Sequence, residues 1–260
     1  MTAVCDLASA RSVKLLVDAE HASMQAGIDD LGIHFSRLYN RSIPGQATVY
    51  GTYQAYLKAA PQVLASHMAI ASKEGFTLGV KLVRGAYMSS DPRHLIHDTK
   101  AATDRCFDGI MESLMRKTYN DVLTPITSCS SSSSSSTKAN FPAVNLVLAS
   151  HNAESVRKAQ SIEKAQTLSG EPDMTDLVYA QLMGMADEVS CELLQAGQGP
   201  DKVVRPRAYK YLVWGTTGEC MKYLHRRALE NRDAVGRTKE ARDLLASELW
   251  RRTKGVFAMT

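Results

Sequence analysis

The amino-acid sequence predicts an α/β fold in which helices cover a parallel sheet. Short β-rich runs alternate with longer helical patterns along most of the chain, and this alternation is typical of parallel strands joined by helices. The composition, 44% hydrophobic and 22% charged, is that of an ordinary globular protein. About six strand candidates are present. The residues alone leave two architectures open, an open doubly wound sheet and a complete or short (β/α) barrel.

The strand candidates are apolar runs that close on polar residues. The strongest is FTLGVKLVRGAY, which ends in Arg-Gly-Ala-Tyr, and SVKLLVDAE turns abruptly acidic at its end. In chain order the candidates are Ser12–Glu20, the first part of Ala47–Leu57, Phe76–Tyr87, Val144–Asn152, Thr175–Gly184 and Tyr209–Gly215.

Helical patterns fill the intervals between these strands. A helix is also expected in the second part of Ala47–Leu57. The other predicted helices are Asp29–Arg41, Pro61–Glu74, Asp98–Tyr119, Ala153–Leu168, Glu219–Glu230 and Arg237–Thr253.

One segment does not fit the alternation, the serine run Ser130–Ser136 between Cys129 and Asn140. A serine homopolymer has no apolar area with which to offset the entropy of ordering it. Residues 127–140 are therefore predicted to form a disordered loop insertion in a single domain that spans residues 1–260.

Composition and motifs exclude several functional classes. The net charge of +4 is mild and no long Lys/Arg block occurs, so no nucleic-acid partner is expected. Five scattered cysteines without a CxxC pair, and histidines without ligand spacing, argue against a disulfide framework or a metal site. No apolar run reaches the roughly 20 residues of a membrane span, and no targeting segment is recognisable. Dinucleotide, phosphate-loop, zinc-protease and nucleophile-elbow motifs are absent from the sequence.

Polar side chains recur at the carboxyl ends of the predicted strands. In both open architectures the loops after the strands converge at this edge. Taken singly, each residue has a structural explanation: Asp18 can cap a helix, Gln54 and Gln181 can bind backbone groups, and His151 can be a core histidine. Their recurrence predicts a shared site for a polar organic cofactor and an anionic substrate. The set is Asp18, Glu20, Gln54, Lys81, Arg84, Tyr87, His151, Asn152, Gln181 and Tyr211.

The segment YLHRRALEN supplies a second group of polar side chains. Helical periodicity places Tyr223, Arg226, Arg227 and Glu230 on one stripe. Two adjacent guanidinium groups repel each other unless an anion lies between them, and each can bind a carboxylate bidentately. By itself, the stripe also fits an exposed basic helix face, which is the commoner case, or a nucleic-acid contact.

An ordered set of motifs resembles the proline dehydrogenase family, and the mitochondrial monofunctional members in particular. The motifs are VDAE (Val17–Glu20), TYQAYLK (Thr52–Lys58), KLVRGAYM (Lys81–Met88), SHN (Ser150–Asn152), QLMGMAD (Gln181–Asp187) and YLHRRALEN (Tyr223–Asn231). The resemblance implies a distorted (β/α)8 barrel with non-covalent FAD over its carboxyl end. It also implies oxidation of L-proline to Δ1-pyrroline-5-carboxylate and electron transfer to a membrane quinone.

The resemblance also implies a role for each site residue. Arg226 and Arg227 would bind the proline carboxylate, with Tyr211 and Tyr223 against the ring and Asp18 lining the pocket. Lys81 would lie near the flavin N5, where bacterial members carry arginine, and the expected catalytic groups are Asp18, Lys81 and Tyr211. The remaining expected FAD contacts are Gln54, Arg84, Lys100, His151, Asn152 and Glu230; no metal is expected.

Two further expectations follow from the resemblance. The family starts its barrel with a strand upstream of VDAE, and about eleven residues precede SVKLLVDAE here, so the barrel is expected to be incomplete at its N-terminus with a C-terminal helix over the active site. A mitochondrial location on the matrix side of the inner membrane, with peripheral association, is implied. The alternatives are an inactive barrel that acts as a binding module, and a hydroxyproline dehydrogenase, against which the presence of Tyr211 argues.

Overall fold

Six parallel strands form one sheet in the order β1-β2-β3-β4-β5-β6. The structure, a computed structural model, describes residues 1–126, 141–196 and 206–231, together with Ala246, Leu249 and Trp250. The predicted serine-rich loop at 127–140 and most of the predicted helix Arg237–Thr253 lie outside the described residues.

Strands and helices alternate along the chain after an initial helix. The strands are β1 (Leu15–Val17), β2 (Val49–Gln54), β3 (Leu78–Val83), β4 (Val144–Ala149), β5 (Asp176–Leu182) and β6 (Ala208–Tyr211). The helices are α1 (Thr2–Ala10), α2 (Ala22–Tyr39), α3 (Ala60–Glu74), α4 (Lys100–Arg116), α5 (Ala153–Leu168), α6 (Asp187–Ala196) and α7 (Thr217–Asn231), with a short 3-10 helix at Arg93–Leu95.

All six predicted strands are present, whereas the helix predicted in the second part of Ala47–Leu57 is wrong. The chain instead stays beside β3 after β2 ends: Ala55 N donates to Val83 O and Tyr56 N to Arg84 O, each at 2.8 Å. Turns follow, with Leu57 N donating to Gln54 O and Ala60 N to Leu57 O at 3.1 Å each, until α3 begins at Ala60. Helices α1 and α6 were not predicted, and α2 begins at Ala22, seven residues before the predicted start at Asp29.

The main hydrophobic core lies between the outer face of the sheet and helices α3, α4 and α5. Leu78, Val80 and Leu82 alternate along β3 and pack against the helices. Alternation of this kind arises because successive strand side chains point to opposite faces of the sheet. The core therefore lies outside the curl of the sheet and leaves its inner face for other groups.

The inner face of the sheet is filled near the amino ends of the strands. Tyr50 is fully buried and packs with Val147 and Val178. Gly79 on the neighbouring strand leaves room for this ring, since a Cβ there would lie 2.7 Å from Tyr50 Cγ and 2.5 Å from the Val49 carbonyl oxygen. The interior is thus closed by a tyrosine at one end.

Side chains join the two edges of the sheet, which shows how strongly it curls. Near the amino ends, Lys14 Nζ lies 2.8 Å from Asp176 on β5, and Arg207, just before β6, pairs with the same carboxylate. At the carboxyl ends, the Tyr211 hydroxyl donates to Asp18 Oδ2 at 3.5 Å. The described strands form a curled half-barrel, which confirms the predicted fold class of an incomplete (β/α) barrel.

No helix in the described part of the chain is both long and apolar enough to cross a membrane.

Candidate active site

The centre of the candidate site is a cluster of Asp18, Lys81 and Tyr211, here called the carboxyl-edge cluster. Lys81 lies on β3, while Asp18 and Tyr211 stand at the carboxyl ends of β1 and β6. The Lys81 ammonium pairs with Asp18 and lies 5.9 Å from the centroid of the Tyr211 ring. Burial and the nearby Asp18 raise the pKa of Tyr211. The structure thus brings together the three residues expected to be catalytic.

Helix α7 extends this cluster through Tyr223 and Arg227. The Tyr223 ring stacks on Tyr211 with centroids 6.2 Å apart and planes at 28°. The Arg227 guanidinium carbon lies 5.2 Å from the centroid of the Tyr223 ring. Arg226 and Glu230 are in the same helix, but their side chains lie outside the described residues. Two of the four residues of the predicted stripe are therefore placed next to Tyr211, and the other two stay predictions.

The loop between β1 and α2, residues 18–21, is held by the neighbouring strands and loops. The Gln54 side chain donates to the Glu20 carbonyl at 3.0 Å, and the Tyr87 hydroxyl donates to Glu20 Oε2 at 2.5 Å. The Thr52 hydroxyl donates to Val17 O at 2.7 Å. Gln54, an expected FAD contact, is buried here and supports the loop that carries Asp18.

Arg84 and Lys100 meet at one carboxylate, that of Asp104 on α4. Arg84 Nε donates to Asp104 Oδ1 at 2.9 Å, and Lys100 pairs with the other carboxylate oxygen. Burial tends to raise the pKa of Asp104, but Lys100 and Arg84 together lower it. The Arg84 guanidinium also donates to the hydroxyls of Ser150 and Ser155, at 2.8 and 2.9 Å. Arg84 therefore links β3 to α4 and α5.

His151 and Asn152 follow β4 but are not part of the carboxyl-edge cluster. The Asn152 side chain accepts from Ser155 N at 3.0 Å and caps α5. His151 Nε2 accepts from Leu182 N at 3.1 Å and ties the end of β4 to β5. Gln181 similarly accepts from the Ser190 hydroxyl at 3.0 Å. In the structure these three residues bind other parts of the protein.

Two residues near the site, Asp91 and Tyr56, do not stand out in the sequence. Asp91 is only 8% exposed, and its carboxylate accepts from the Tyr56 hydroxyl at 2.5 Å and from Ala22 N at 3.0 Å. Nothing in the polar stretch SSDPRHL distinguishes this aspartate from an exposed loop residue. Tyr56 was hidden in the segment that was wrongly predicted as helical.

The donor groups along this edge fit a flavin cofactor better than a metal. The described residues contain no group of three or more His, Cys, Asp or Glu side chains able to hold a metal ion. They do offer the amino groups of Lys81 and Lys100 and the guanidinium of Arg84. The Lys100 side chain is 76% exposed at the start of α4 and can reach a phosphate. Cations of this kind match the pyrophosphate and the electron-accepting ring of FAD.

Fold and site together define a class: a (β/α)-barrel protein with its binding groups at the carboxyl ends of the strands and a tyrosine- and arginine-bearing helix beside them. Residues 1–240 match the sequence model of one family of this class, described as "Proline dehydrogenase". The chain belongs to the proline dehydrogenase family.

Curated relatives align with nearly all of this chain. A probable mitochondrial proline dehydrogenase of Schizosaccharomyces pombe is 35% identical over 252 residues, which are 96% of this chain and 48% of the relative. Proline dehydrogenase 1, mitochondrial, of Caenorhabditis elegans is 33% identical, with 98% and 38% covered. Mouse hydroxyproline dehydrogenase is 35% identical, with 98% and 51% covered. The chain thus spans about half the length of these relatives, or less.

Solved structures show the same fold. The proline utilization A protein of Bdellovibrio bacteriovorus, inactivated by N-propargylglycine, superposes with a TM-score of 0.66 at 20% identity. The match covers 88% of this chain and 21% of that protein. At this identity the likeness supports the fold alone.

Proposed function

We propose that this chain is the flavin-binding catalytic domain of a proline dehydrogenase, which oxidises L-proline to Δ1-pyrroline-5-carboxylate. The observation that carries the proposal is the continuous contact from Lys81 and Asp18 through Tyr211 and Tyr223 to Arg227. These contacts join the Lys81–Asp18 ion pair, the stacked rings of Tyr211 and Tyr223, and the guanidinium group of Arg227. Membership of the family supports the reaction type.

The substrate is held by α7 and β6. Arg227, with Arg226 beside it in sequence, binds the proline carboxylate through paired N–H donors. Tyr211 and Tyr223 lie against the pyrrolidine ring, which is small and apolar. Fixing both ends of the substrate in this way supplies much of the rate enhancement through proximity and orientation.

The Lys81–Asp18 ion pair contributes to the hydride transfer itself. When bound, FAD supplies the acceptor for the hydride leaving the carbon next to nitrogen. Lys81, held by Asp18, places a positive charge where negative charge develops during transfer. Arg84 and Lys100 would hold the cofactor phosphates, and Gln54, His151, Asn152 and Glu230 would complete its surroundings. We assign the quinone of the mitochondrial inner membrane as electron acceptor, with the protein bound peripherally on the matrix side.

Spectra and kinetics of the purified chain test this proposal. We expect a flavin absorbance spectrum after addition of FAD, and bleaching of that spectrum by L-proline without oxygen. Reduction of an artificial electron-acceptor dye should then depend on proline. A chain that binds no flavin would instead support the alternative of an inactive barrel acting as a binding module.

Hydroxyproline is a second candidate substrate, because mouse hydroxyproline dehydrogenase matches this chain as well as the yeast relative does. The presence of Tyr211 favours proline, because the family resemblance links a preference for hydroxyproline to loss of a tyrosine at this position. The ratio of kcat/KM for L-proline to that for hydroxyproline decides between them, and a ratio below one would overturn the assignment of proline.

A further inference from the structure

Asp91 lies where three loops of the carboxyl edge meet. Its own loop follows β3, Tyr56 belongs to the loop after β2, and Ala22 ends the loop after β1. The carboxylate accepts hydrogen bonds from Tyr56 and from the backbone of Ala22, and His21 Nδ1 lies 3.5 Å away. A buried carboxylate with this many partners costs much to desolvate unless all of them stay in place.

The contact with Ala22 completes the start of α2. Within the described residues, the N-cap residue His21 makes no side-chain cap and the first turn of α2 has no acidic residue. The backbone N–H groups of a first helical turn lack acceptors and carry partial positive charge. Asp91 supplies both an acceptor and a negative charge from 69 residues away in sequence.

The contact with Tyr56 anchors Asp91 to a rigid part of the sheet edge. Tyr56 is 1% exposed, its backbone N donates to Arg84 O, and its carbonyl accepts from His97 N. Its ring packs directly over Gly85, where a Cβ would come within 1.9 Å of it. Asp91 therefore connects the loop after β1 to the ends of β2 and β3, whose positions are fixed by these contacts.

We propose that Asp91 is a positioning residue that holds residues 18–22 in place, so that Asp18 meets Lys81 and Tyr211. The inference rests on the proposed function and assigns Asp91 no contact with the substrate. Without Asp91, Tyr87 and Gln54 still bind Glu20, and Ser90 and Tyr87 still contact His21, but Ala22 N loses its acceptor and the link from the loop to Tyr56 is lost. Asp18 then samples positions away from Lys81.

Kinetics of three variants test the effect on the site. In Asp91→Ala we expect kcat for proline to fall about tenfold while KM rises less than about threefold, because Lys81 acts on charge that develops only during transfer; the loss is of the size expected for one charged hydrogen bond. Asp91→Asn keeps an acceptor for Ala22 N and should recover about half of this loss on a logarithmic scale. The matched control is Asp98→Asn. Asp98 lies in the same loop as Asp91, and its exposed carboxylate pairs with Lys58. This substitution should leave both constants unchanged. A rise in KM with unchanged kcat, or constants within about twofold of wild type in Asp91→Ala, would overturn the proposal.

Hydrogen exchange tests the same attachment without any need for activity. On the purified protein without substrate, amides of residues 18–25 should exchange about tenfold faster in Asp91→Ala, with those of α5 unchanged. Uniform acceleration along the chain would mean that Asp91 contributes only to global stability. If the wild type oxidises no proline, the proposed function fails, and the exchange of residues 18–25 still decides whether Asp91 holds the loop. If Asp91→Ala does not fold, Asp91→Asn serves both measurements.

Discussion

Among the described residues, Arg227 is the one whose substitution most directly tests substrate binding. Its guanidinium carbon lies 5.2 Å from the centroid of the Tyr223 ring, which in turn stacks on Tyr211. In Arg227→Met we expect KM for proline to rise about 10- to 100-fold, because a charge-assisted hydrogen bond contributes about 1.5–3 kcal/mol. The measurement is proline-dependent dye reduction over a range of proline concentrations.

A matched control for this change is Arg157→Met. Arg157 is a helical arginine whose guanidinium pairs with Glu192 at 2.7 Å on the outside of the fold. Its loss should leave KM unchanged. Equal KM values for wild type and Arg227→Met would remove Arg227 from the substrate site.

His67 makes the stability depend on pH in the acidic range. Burial lowers its pKa from 6.5 to about 4, and its Nδ1 lies 2.8 Å from the Tyr53 hydroxyl. The unfolded chain binds more protons between these two values, so the folded state loses stability as pH falls from 6.5 to 4. The loss amounts to about 3 kcal/mol at 1.36 kcal/mol per pKa unit.

Urea unfolding at pH 7 and pH 4 measures this effect. His67→Gln should lose about 3 kcal/mol less than wild type over this interval, because glutamine does not titrate. His94→Gln, an exposed histidine, is the control and should follow the wild type. Parallel stability curves for wild type and His67→Gln would contradict the assignment.

At the scale of single residues, the sequence was informative where polarity broke an apolar pattern. Asp18, Lys81 and Tyr211 stood out because each follows or interrupts an apolar strand, and the structure brings them together. Asp91 did not stand out, because a polar residue in a polar loop carries no such contrast. Its burial arises from the path of three loops, which no local pattern encodes.

Among the elements, the turn after β3 depends most on a single glycine. Gly85 has φ +133°, and a Cβ would lie 1.9 Å from the Tyr56 ring. Gly85→Ala should therefore lower the free energy of unfolding by about 3 kcal/mol or more, since it adds backbone strain to a steric overlap. Chemical denaturation of the two proteins measures the difference.

Gly170→Ala separates the two contributions. Gly170 also has positive φ, +67°, but nothing lies within 4 Å of a Cβ there. We expect a cost of about 1 kcal/mol from the backbone alone. A similar cost at both glycines would show that the Tyr56 ring moves aside without penalty.

The strands were easier to predict than the helices because apolar runs in a buried parallel sheet are nearly continuous. The missed helix α6 shows the opposite case: Asp187–Ala196 buries only Val189, Ser190 and Leu193, so its apolar stripe is narrow. The helix predicted after β2 failed for a different reason. Residues with helical propensity such as Ala55 and Leu57 lie in turns here, because Ala55 N donates to Val83 O on β3 and Leu57 N donates to Gln54 O.

For the whole molecule, Asp176 is the main link between the two edges of the curled sheet. It pairs with Lys14 before β1 and with Arg207 before β6. Asp176→Ala should lower the free energy of unfolding by about 1–2 kcal/mol, a range discounted for the partial exposure of all three side chains. The difference should shrink in high salt, because screening weakens the pairs that are lost.

Asp173→Ala is the matched control for Asp176. Asp173 precedes the same strand and pairs with Lys117, but its side chain is 83% exposed. We expect its removal to change stability by less than about 0.5 kcal/mol. Equal effects of the two substitutions would mean that the bridge between the edges adds nothing to the fold.

The residues alone left the strand order and the curl open, since a doubly wound sheet also fitted them, and the barrel was predicted from the family resemblance. A β-α alternation with short connections leads to sequential neighbours, and the observed order β1 to β6 follows this rule. The curled sheet relies on contacts that no local pattern encodes: Gly79 lies beside Tyr50 on the adjacent strand, and Asp176 pairs with Lys14 from the other edge of the sheet. These partners are 29 and 162 positions away in sequence.

The buried ring of Tyr50 bears on how small molecules reach and leave the carboxyl-edge cluster. Because this ring, backed by Val147 and Val178, fills the interior near the amino ends of the strands, a small molecule at the carboxyl-edge cluster has no passage through that end. On the proposed function, proline would enter and product would leave at the carboxyl ends of the strands. We therefore expect accumulated product to compete with incoming proline.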